Sequence, residues 1–171
     1  WANSNYKVAV IDADAQRSLT NWLEARKKYY REESTGIDSY PFDVRKLDED
    51  LKQIKRKYHF IIIDSPPSIT YDTIQIIKSS DKVFVPVQPS PLDLMATVPF
   101  LNLVKQERKK TTVILNRVMP RAKLTDAMII RLRYAGAKIA RSRISGRIIY
   151  AETFSVGRGV VDISVTSEAS K

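Results

Sequence analysis

Phe60-Ile61-Ile62-Ile63-Asp64-Ser65-Pro66-Pro67 is the stretch that decides the fold. Four apolar residues run without a break and a carboxylate follows at once. A strand with one wet face alternates apolar and polar residues, whereas a strand buried on both faces of a parallel sheet reads as a continuous apolar run. Three more runs have this form: Val8-Ala9-Val10-Ile11, Val83-Phe84-Val85 with Val87, and Thr112-Val113-Ile114-Leu115. A weaker strand is expected at Phe42-Asp43-Val44.

Helical spacing fills the intervals. Residues 18–33 set Leu19, Trp22, Leu23 and Arg26 on one face, and residues 47–57 set Leu47, Leu51 and Ile54 on another. Residues 71–79 and 91–109 are the remaining helices. In the last, Ser90 is a good N-cap, Pro91 suits the first helical position and Asp93 the first turn. Strands alternating with helices predict right-handed crossovers and a mostly parallel, doubly wound α/β sheet flanked by helices, in one domain over residues 1–171. Past residue 136 the pattern yields only short β-like pieces, at 138–144 and 147–150. In such a sheet ligands sit beyond the C-terminal ends of the strands, so the residues after each run are the ones to read for chemistry.

Composition removes several classes of function. With no cysteine there is no disulfide, thiol nucleophile or zinc–thiolate site, and one histidine cannot supply a His-based metal cluster. No apolar run nears the ~20 residues of a membrane span, and the absence of cysteine suits a reducing, cytoplasmic setting. Charge is uneven. Residues 1–100 carry 14 Lys+Arg and 14 Asp+Glu, whereas residues 101–171 carry 15 and 5. Nine cations fall between Arg117 and Arg147 against the single acid Asp126, which predicts a polyanion-binding face. A generically soluble basic surface is the plainer account.

The strand ends carry the chemistry. Asp12-Ala13-Asp14-Ala15-Gln16 places two carboxylates at i and i+2, a pair able to hold a magnesium hydration shell and orient an attacking water. The same residues also suit a turn and a helix cap. Asp64 directly after its strand has the Walker B form, in which a rigid strand aims a carboxylate at a metal-bound water, and the two prolines fix the exit path. Asn116, after the fifth run, can read a purine edge or close a turn. His59 at a strand start reads as structural. Trp22, Tyr29 and Tyr30 read as packing rather than a base-stacking platform, Lys27-Lys28 and Lys55-Arg56-Lys57 read as solvated helix faces, and Ser65 has no histidine to activate it.

Taken in order, these motifs resemble the ParA family of partition ATPases, the deviant-Walker-A group with its MinD relatives. Asp12-Ala13-Asp14-Ala15-Gln16 is similar to the family's Asp-x-Asp-Pro-Gln motif with Ala15 replacing proline. Phe60–Pro67 is similar to its Walker B, Val83–Pro91 to the next strand and loop, and Leu115-Asn116-Arg117 to the base-side strand end. Ala151-Glu152-Thr153-Phe154-Ser155-Val156-Gly157 resembles a late Ala-Glu-x-x-x-x-Gly segment. The resemblance spans about residues 4–165 and is nearest the small, plasmid-type members. It implies that Asp14 orients the hydrolytic water, that Asp12 and Asp64 act on Mg²⁺ mostly through water, and that Asn116 contacts the adenine of ATP. It also implies ATP-driven homodimerisation, nucleoid association through non-specific DNA binding, a centromere-binding partner protein, and no membrane. DNA contact is expected from Arg121, Lys123, Arg131, Arg141, Arg143 and Arg147. A MinD-like membrane switch fits the polar tail at 164–171 poorly.

One family element has no counterpart in the sequence, either because this chain is a piece of a longer protein or because the gene is degenerate. The Lys-Gly-Gly-x-Gly-Lys-Thr loop, which grips phosphates through backbone N–H groups and lysines, has no counterpart among the glycines at 36, 136, 146, 157 and 159. The expectation is that the chain begins just past that loop, lacks the terminal helix, exposes a sheet edge and does not hydrolyse ATP by itself. The alternative is a non-enzymatic DNA- or partner-binding module that has lost nucleotide binding.

Overall fold

The parallel pairing read from the apolar runs is present in every strand pair of the computed structural model, which describes residues 5–31, 36–119 and 123–163. The chain divides into two compact units, residues 1–79 with 149–171, and residues 80–148.

In the first unit β1 (Val8–Asp12) lies between β2 (Ile37–Tyr40) and β3 (Phe60–Asp64). Val8, Ala9, Val10 and Ile11 are almost fully buried. Their side chains alternate between two helical layers. Val8 and Val10 pack with Leu23 of α1 (Ser18–Tyr29), while Ile11 packs with Leu47, Leu51 and Ile54 of α2 (Leu47–Ile54) and Ile76 of α3 (Tyr71–Ser79). Helices thus cover both faces of β1, the doubly wound arrangement, and each such aliphatic burial stabilises by roughly 1.5–3 kcal/mol.

The edge strand behaves differently. Ile61 and Ile63 pack against the α2–α3 side, but Ile62 on the opposite face is 42% exposed. Burial on both faces therefore holds for β1 and not for β3, whose one strand neighbour among the described residues is β1.

The strand expected at 42–44 is corrected to 37–40. Pro41 has no N–H to give to a ladder, and Asp43 is spent on a turn, where its Oδ1 accepts from the Arg45 backbone N–H at 3.0 Å. The first two helices also end earlier than expected, at Tyr29 and Ile54. After the excursion through the second unit, α6 (Ile149–Ser155) and a 3₁₀ turn (Val160–Asp162) return to α1. Residues 149–150 thus open a helix and not the expected β-like piece.

In the second unit β4 (Lys82–Val87) pairs with β5 (Lys110–Leu115). Val85, Val87, Val113 and Leu115 pack with Leu101 of α4 (Pro91–Gln106) and with Met128, Ile129 and Leu132 of α5 (Lys123–Tyr134). Ser90 caps α4 as predicted, its Oγ accepting from the Asp93 N–H at 3.5 Å, with Pro91 at the first position. The β-like stretch at 138–144 contributes a single bridge, Ile139 to Val113. Residues 80–148 carry 14 Lys+Arg against 4 Asp+Glu, and the rest of the chain 15 against 15, so the whole net charge of +10 belongs to this unit.

Candidate functional site: a carboxylate cluster at the strand ends

The register of β1 and β3 sets Asp12 directly beside Asp64, and the Ala13 N–H extends the ladder to the Asp64 carbonyl at 2.8 Å. Two parallel strands therefore deliver their carboxylates to the same sheet end. Asp14 follows on the loop.

The three carboxylates differ in what holds them. Asp12 Oδ2 accepts from the Thr20 backbone N–H at 2.8 Å and from the Thr20 hydroxyl at 2.7 Å, while Oδ1 accepts from the Asp14 N–H at 3.2 Å. Asp12 thus caps the first turn of α1 from outside the helix. The N-cap residue itself, Arg17, sits at φ +53 and makes no side-chain cap. Asp14 Oδ1 accepts from the Gln16 N–H at 3.1 Å, the hydrogen bond of an Asx turn. Asp64 accepts no hydrogen bond on its carboxylate among the described residues. Partial burial, and then the charges of Asp12 and Asp14, hold its pKa above the ordinary carboxylate range.

This donor set bears on the expected magnesium ion. Among the described residues no three acidic or His/Cys groups converge as a chelate. What is present is concentrated negative charge, with no cation contributing to the Asp64 shift. That is compatible with a divalent ion held through its own waters rather than by direct chelation. It does not fit direct ligation by Asp12, whose oxygens are committed to protein donors.

The other expected site residues belong to the second unit. Asn116 follows β5. Its N–H donates to the Val87 carbonyl at 2.9 Å, and its Oδ1 accepts from the Arg117 N–H at 2.9 Å, so its oxygen closes a turn while the amide donors stay available. Arg131 is exposed on α5, and Arg141 and Arg143 are exposed on the irregular segment that follows. Arg147 is also exposed, its Nε donating to Ser145 Oγ at 3.5 Å. Lys123 opens α5, and Arg121 lies outside the described residues.

His59, Trp22 and Tyr30, read from the sequence as structural, make the following contacts. His59 Nδ1 accepts from the Lys7 N–H at 3.0 Å. Trp22 and Tyr30 flank Arg26, 5.3 and 4.8 Å from its guanidinium carbon to their ring centroids. The sequence reading passed over a further basic group, Lys105, Arg108, Lys109 and Lys138, although the run Arg108-Lys109-Lys110 signals it.

Known proteins resemble this chain in sequence and in fold. A family model, AAA_31, described as an AAA domain, matches residues 39–117. The Maintenance of carboxysome distribution protein A of Halothiobacillus neapolitanus is 26% identical over 170 residues, 96% of this chain and 77% of that protein. A ParA family protein of Mycoplasma genitalium is 26% identical over 130 residues, 72% of this chain and 48% of the relative. A McdA–ATP complex from Cyanothece superposes with a TM-score of 0.78 at 18% identity, over 94% of this chain and 80% of that one. The chain is thus similar to ParA-family proteins.

The superposition shows the shared fold, parallel strands flanked by helices. The chain spans about half the length of the Mycoplasma relative and 77% of the Halothiobacillus one. Among its described residues no helix is long and apolar enough to cross a membrane.

Proposed function

We propose that this chain supplies the water- and metal-positioning carboxylates of a ParA-type, ATP-dependent DNA partition protein. The observation that supports this most directly is the meeting of Asp12, Asp14 and Asp64 at one sheet end, with Asp64 pressed toward its neutral form by partial burial and then by the charges of Asp12 and Asp14. Like charges gathered without a protein counter-ion imply an external cation. Magnesium, when bound, neutralises phosphate charge during phosphoryl transfer.

In this reading Asp14 orients the attacking water through the oxygen that its turn leaves open. Asp64 holds the hydration shell of the ion, and Asp12 fixes the loop that carries Asp14. Asn116 offers its amide donors to adenine. ATP drives homodimerisation, and the dimer binds DNA of any sequence through Arg121, Lys123, Arg131, Arg141, Arg143 and Arg147. A centromere-binding protein is the partner, and the site of action is the nucleoid in the cytoplasm.

The test supplies the phosphate-gripping part that these residues do not contain. A chimera carrying a relative's first strand, Lys-Gly-Gly-x-Gly-Lys-Thr loop and first helix ahead of Trp1 is expected to hydrolyse ATP. Asp14→Ala in that chimera is expected to abolish turnover and keep ATP binding. Turnover that survives Asp14→Ala refutes the assignment.

A second reading is favoured by the Asp12 hydrogen bonds, which serve the fold without any ion. In it the chain is a DNA- or partner-binding module that has lost nucleotide binding. A chimera that binds DNA but neither binds nor hydrolyses ATP supports that reading.

A further inference from the structure

The second unit holds a cavity of about 300 Å³ that none of the expected site residues lines. One wall is the end of α4 and the turn beyond it, with Asn102, Lys105, Arg108 and Lys109. The other is the turn after α5, with Gly136 and Lys138. Four of the lining side chains are cations and none is an acid. Lys105 and Arg108 are three residues apart across the end of the helix. Lys110 and Lys82, the first residues of β5 and β4, are register partners at the same end of the sheet. Like charges placed opposite each other on neighbouring strands repel, so this end of the unit carries an excess of positive charge, with Asp81 and Glu107 as its nearby acids.

Cations near a helix C-terminus ordinarily complement the helix dipole and cap its last carbonyls. Here backbone donors already cap them. The Glu107 N–H reaches the Leu103 carbonyl at 3.0 Å, the Arg108 N–H that of Lys105 at 3.0 Å and the Lys109 N–H that of Val104 at 3.1 Å. After α5, the N–H groups of Gly136 and Ala137 serve the carbonyls of Arg133 and Leu132, both at 2.9 Å. The cationic side chains are therefore not needed as caps. Lys105, Arg108 and Lys138 have no acidic partner among the described residues.

Two backbone features add to this. Arg108 sits at φ +54, in the left-handed region where a helix usually ends on glycine, so an arginine is held there against strain that glycine would avoid. Gly136, across the cavity, has φ +78 and nothing within 4 Å of the place a Cβ would occupy, so the mouth is open on that side.

The wall offers ammonium, guanidinium and amide donors and no carboxylate acceptor. A single carboxylate would balance one of the charges on Lys105, Arg108 and Lys138, whereas linked phosphates bring several charges and many acceptor oxygens to one place. We propose that this cavity binds an anion bearing two or more linked phosphate groups. Such phosphates come from a small polyphosphate or from the backbone of a nucleic acid. The proposal is independent of the carboxylate cluster and needs no magnesium.

Calorimetric titration of the 171-residue chain with inorganic tripolyphosphate, at low salt and without divalent ions, tests it. One tripolyphosphate per chain is expected. Lys105→Glu with Arg108→Glu should weaken binding about tenfold or more, the loss of charge-assisted hydrogen bonds. Arg108→Gly should do the same in part while relaxing the backbone, so loss of binding in that variant is not loss of the fold. Lys27→Glu with Lys28→Glu, exposed on α1, changes net charge equally and should leave binding unchanged. Displacement of tripolyphosphate by a short random-sequence duplex supports a nucleic-acid backbone as the source, and failure to displace supports a small polyphosphate. No binding at low salt, binding unaffected by the cavity variants, or equal weakening by the α1 variants overturns the proposal.

Discussion

Arg26 Nη1 donates to Asp162 Oδ2 at 2.7 Å, across 136 residues of sequence, with both side chains only 7% and 6% exposed. The same nitrogen reaches the Gly157 carbonyl at 3.2 Å, and Trp22 and Tyr30 flank the guanidinium. Asp162→Ala leaves a buried guanidinium without its counter-ion, a change that costs about 3–5 kcal/mol where such pairs have been broken. Urea denaturation should show that loss, and a comparable one for Arg26→Met, which strands the buried Asp162 carboxylate. The double variant Arg26→Met with Asp162→Ala should lose clearly less than the two single losses summed, and strictly additive losses would refute the pairing as the cause.

Gly157 is bound to the same place. It has φ +70, and a Cβ there would lie 2.0 Å from the Arg26 backbone nitrogen. Gly157→Ala is expected to lower the melting temperature more than Gly136→Ala, whose surroundings are open. Left-handed strain alone costs roughly 1–2 kcal/mol, so the excess at 157 measures the clash.

Asp64 makes a pH-dependent prediction. Its folded pKa is raised, first by burial and then by Asp12 and Asp14, so the folded state favours the protonated form. Its stabilising contribution is therefore present at acid pH and lost as pH rises through the folded pKa. Asp64→Asn should be more stable than the parent at pH 7, with the advantage vanishing below the ordinary carboxylate pKa of about 4. Added magnesium should narrow the gap at pH 7 by stabilising the parent alone. A constant difference across pH would refute the account.

Asp12 is expected to matter without any ion. Asp12→Ala strips the acceptor from the Thr20 N–H in the first turn of α1, and loss of such a cap costs about 0.5–2 kcal/mol. Denaturation in the presence of a chelator should show the loss undiminished.

DNA binding by the basic unit should be electrostatic. Affinity for random duplex is expected to fall linearly on a log–log salt plot, and Arg141→Glu with Arg143→Glu should make the slope shallower. An affinity indifferent to salt would sink this prediction.

The residues show why some features were legible in the sequence and others were not. Continuous Val/Ile runs located β1, β3, β4 and β5 to within a few residues, because a strand core needs no distant partner to be recognised. The carboxylates Asp12, Asp14 and Asp64 followed from those strand ends. Helix α5 was missed because Ile130 and Tyr134, 65% and 96% exposed, blur the buried spacing of Met128, Ile129 and Leu132. β2 was misplaced because Ile37-Asp38-Ser39-Tyr40 looks polar, and its register with β1 is what makes it a strand. The Arg26–Asp162 pair and the cavity between the ends of α4 and α5 join residues far apart in sequence, which no local pattern reveals.

The division of the chain also bears on how it is made. Residues 80–148 are contiguous, so a ribosome releases that unit whole and its β4–β5 pairing can close early. The first unit is discontinuous, and its buried Arg26 stays without a counter-ion until Asp162 has been synthesised. The middle of the chain is thus set to fold before the beginning is finished. Until then α1 presents an uncompensated arginine between two aromatic rings, the kind of half-built surface on which a chaperone acts.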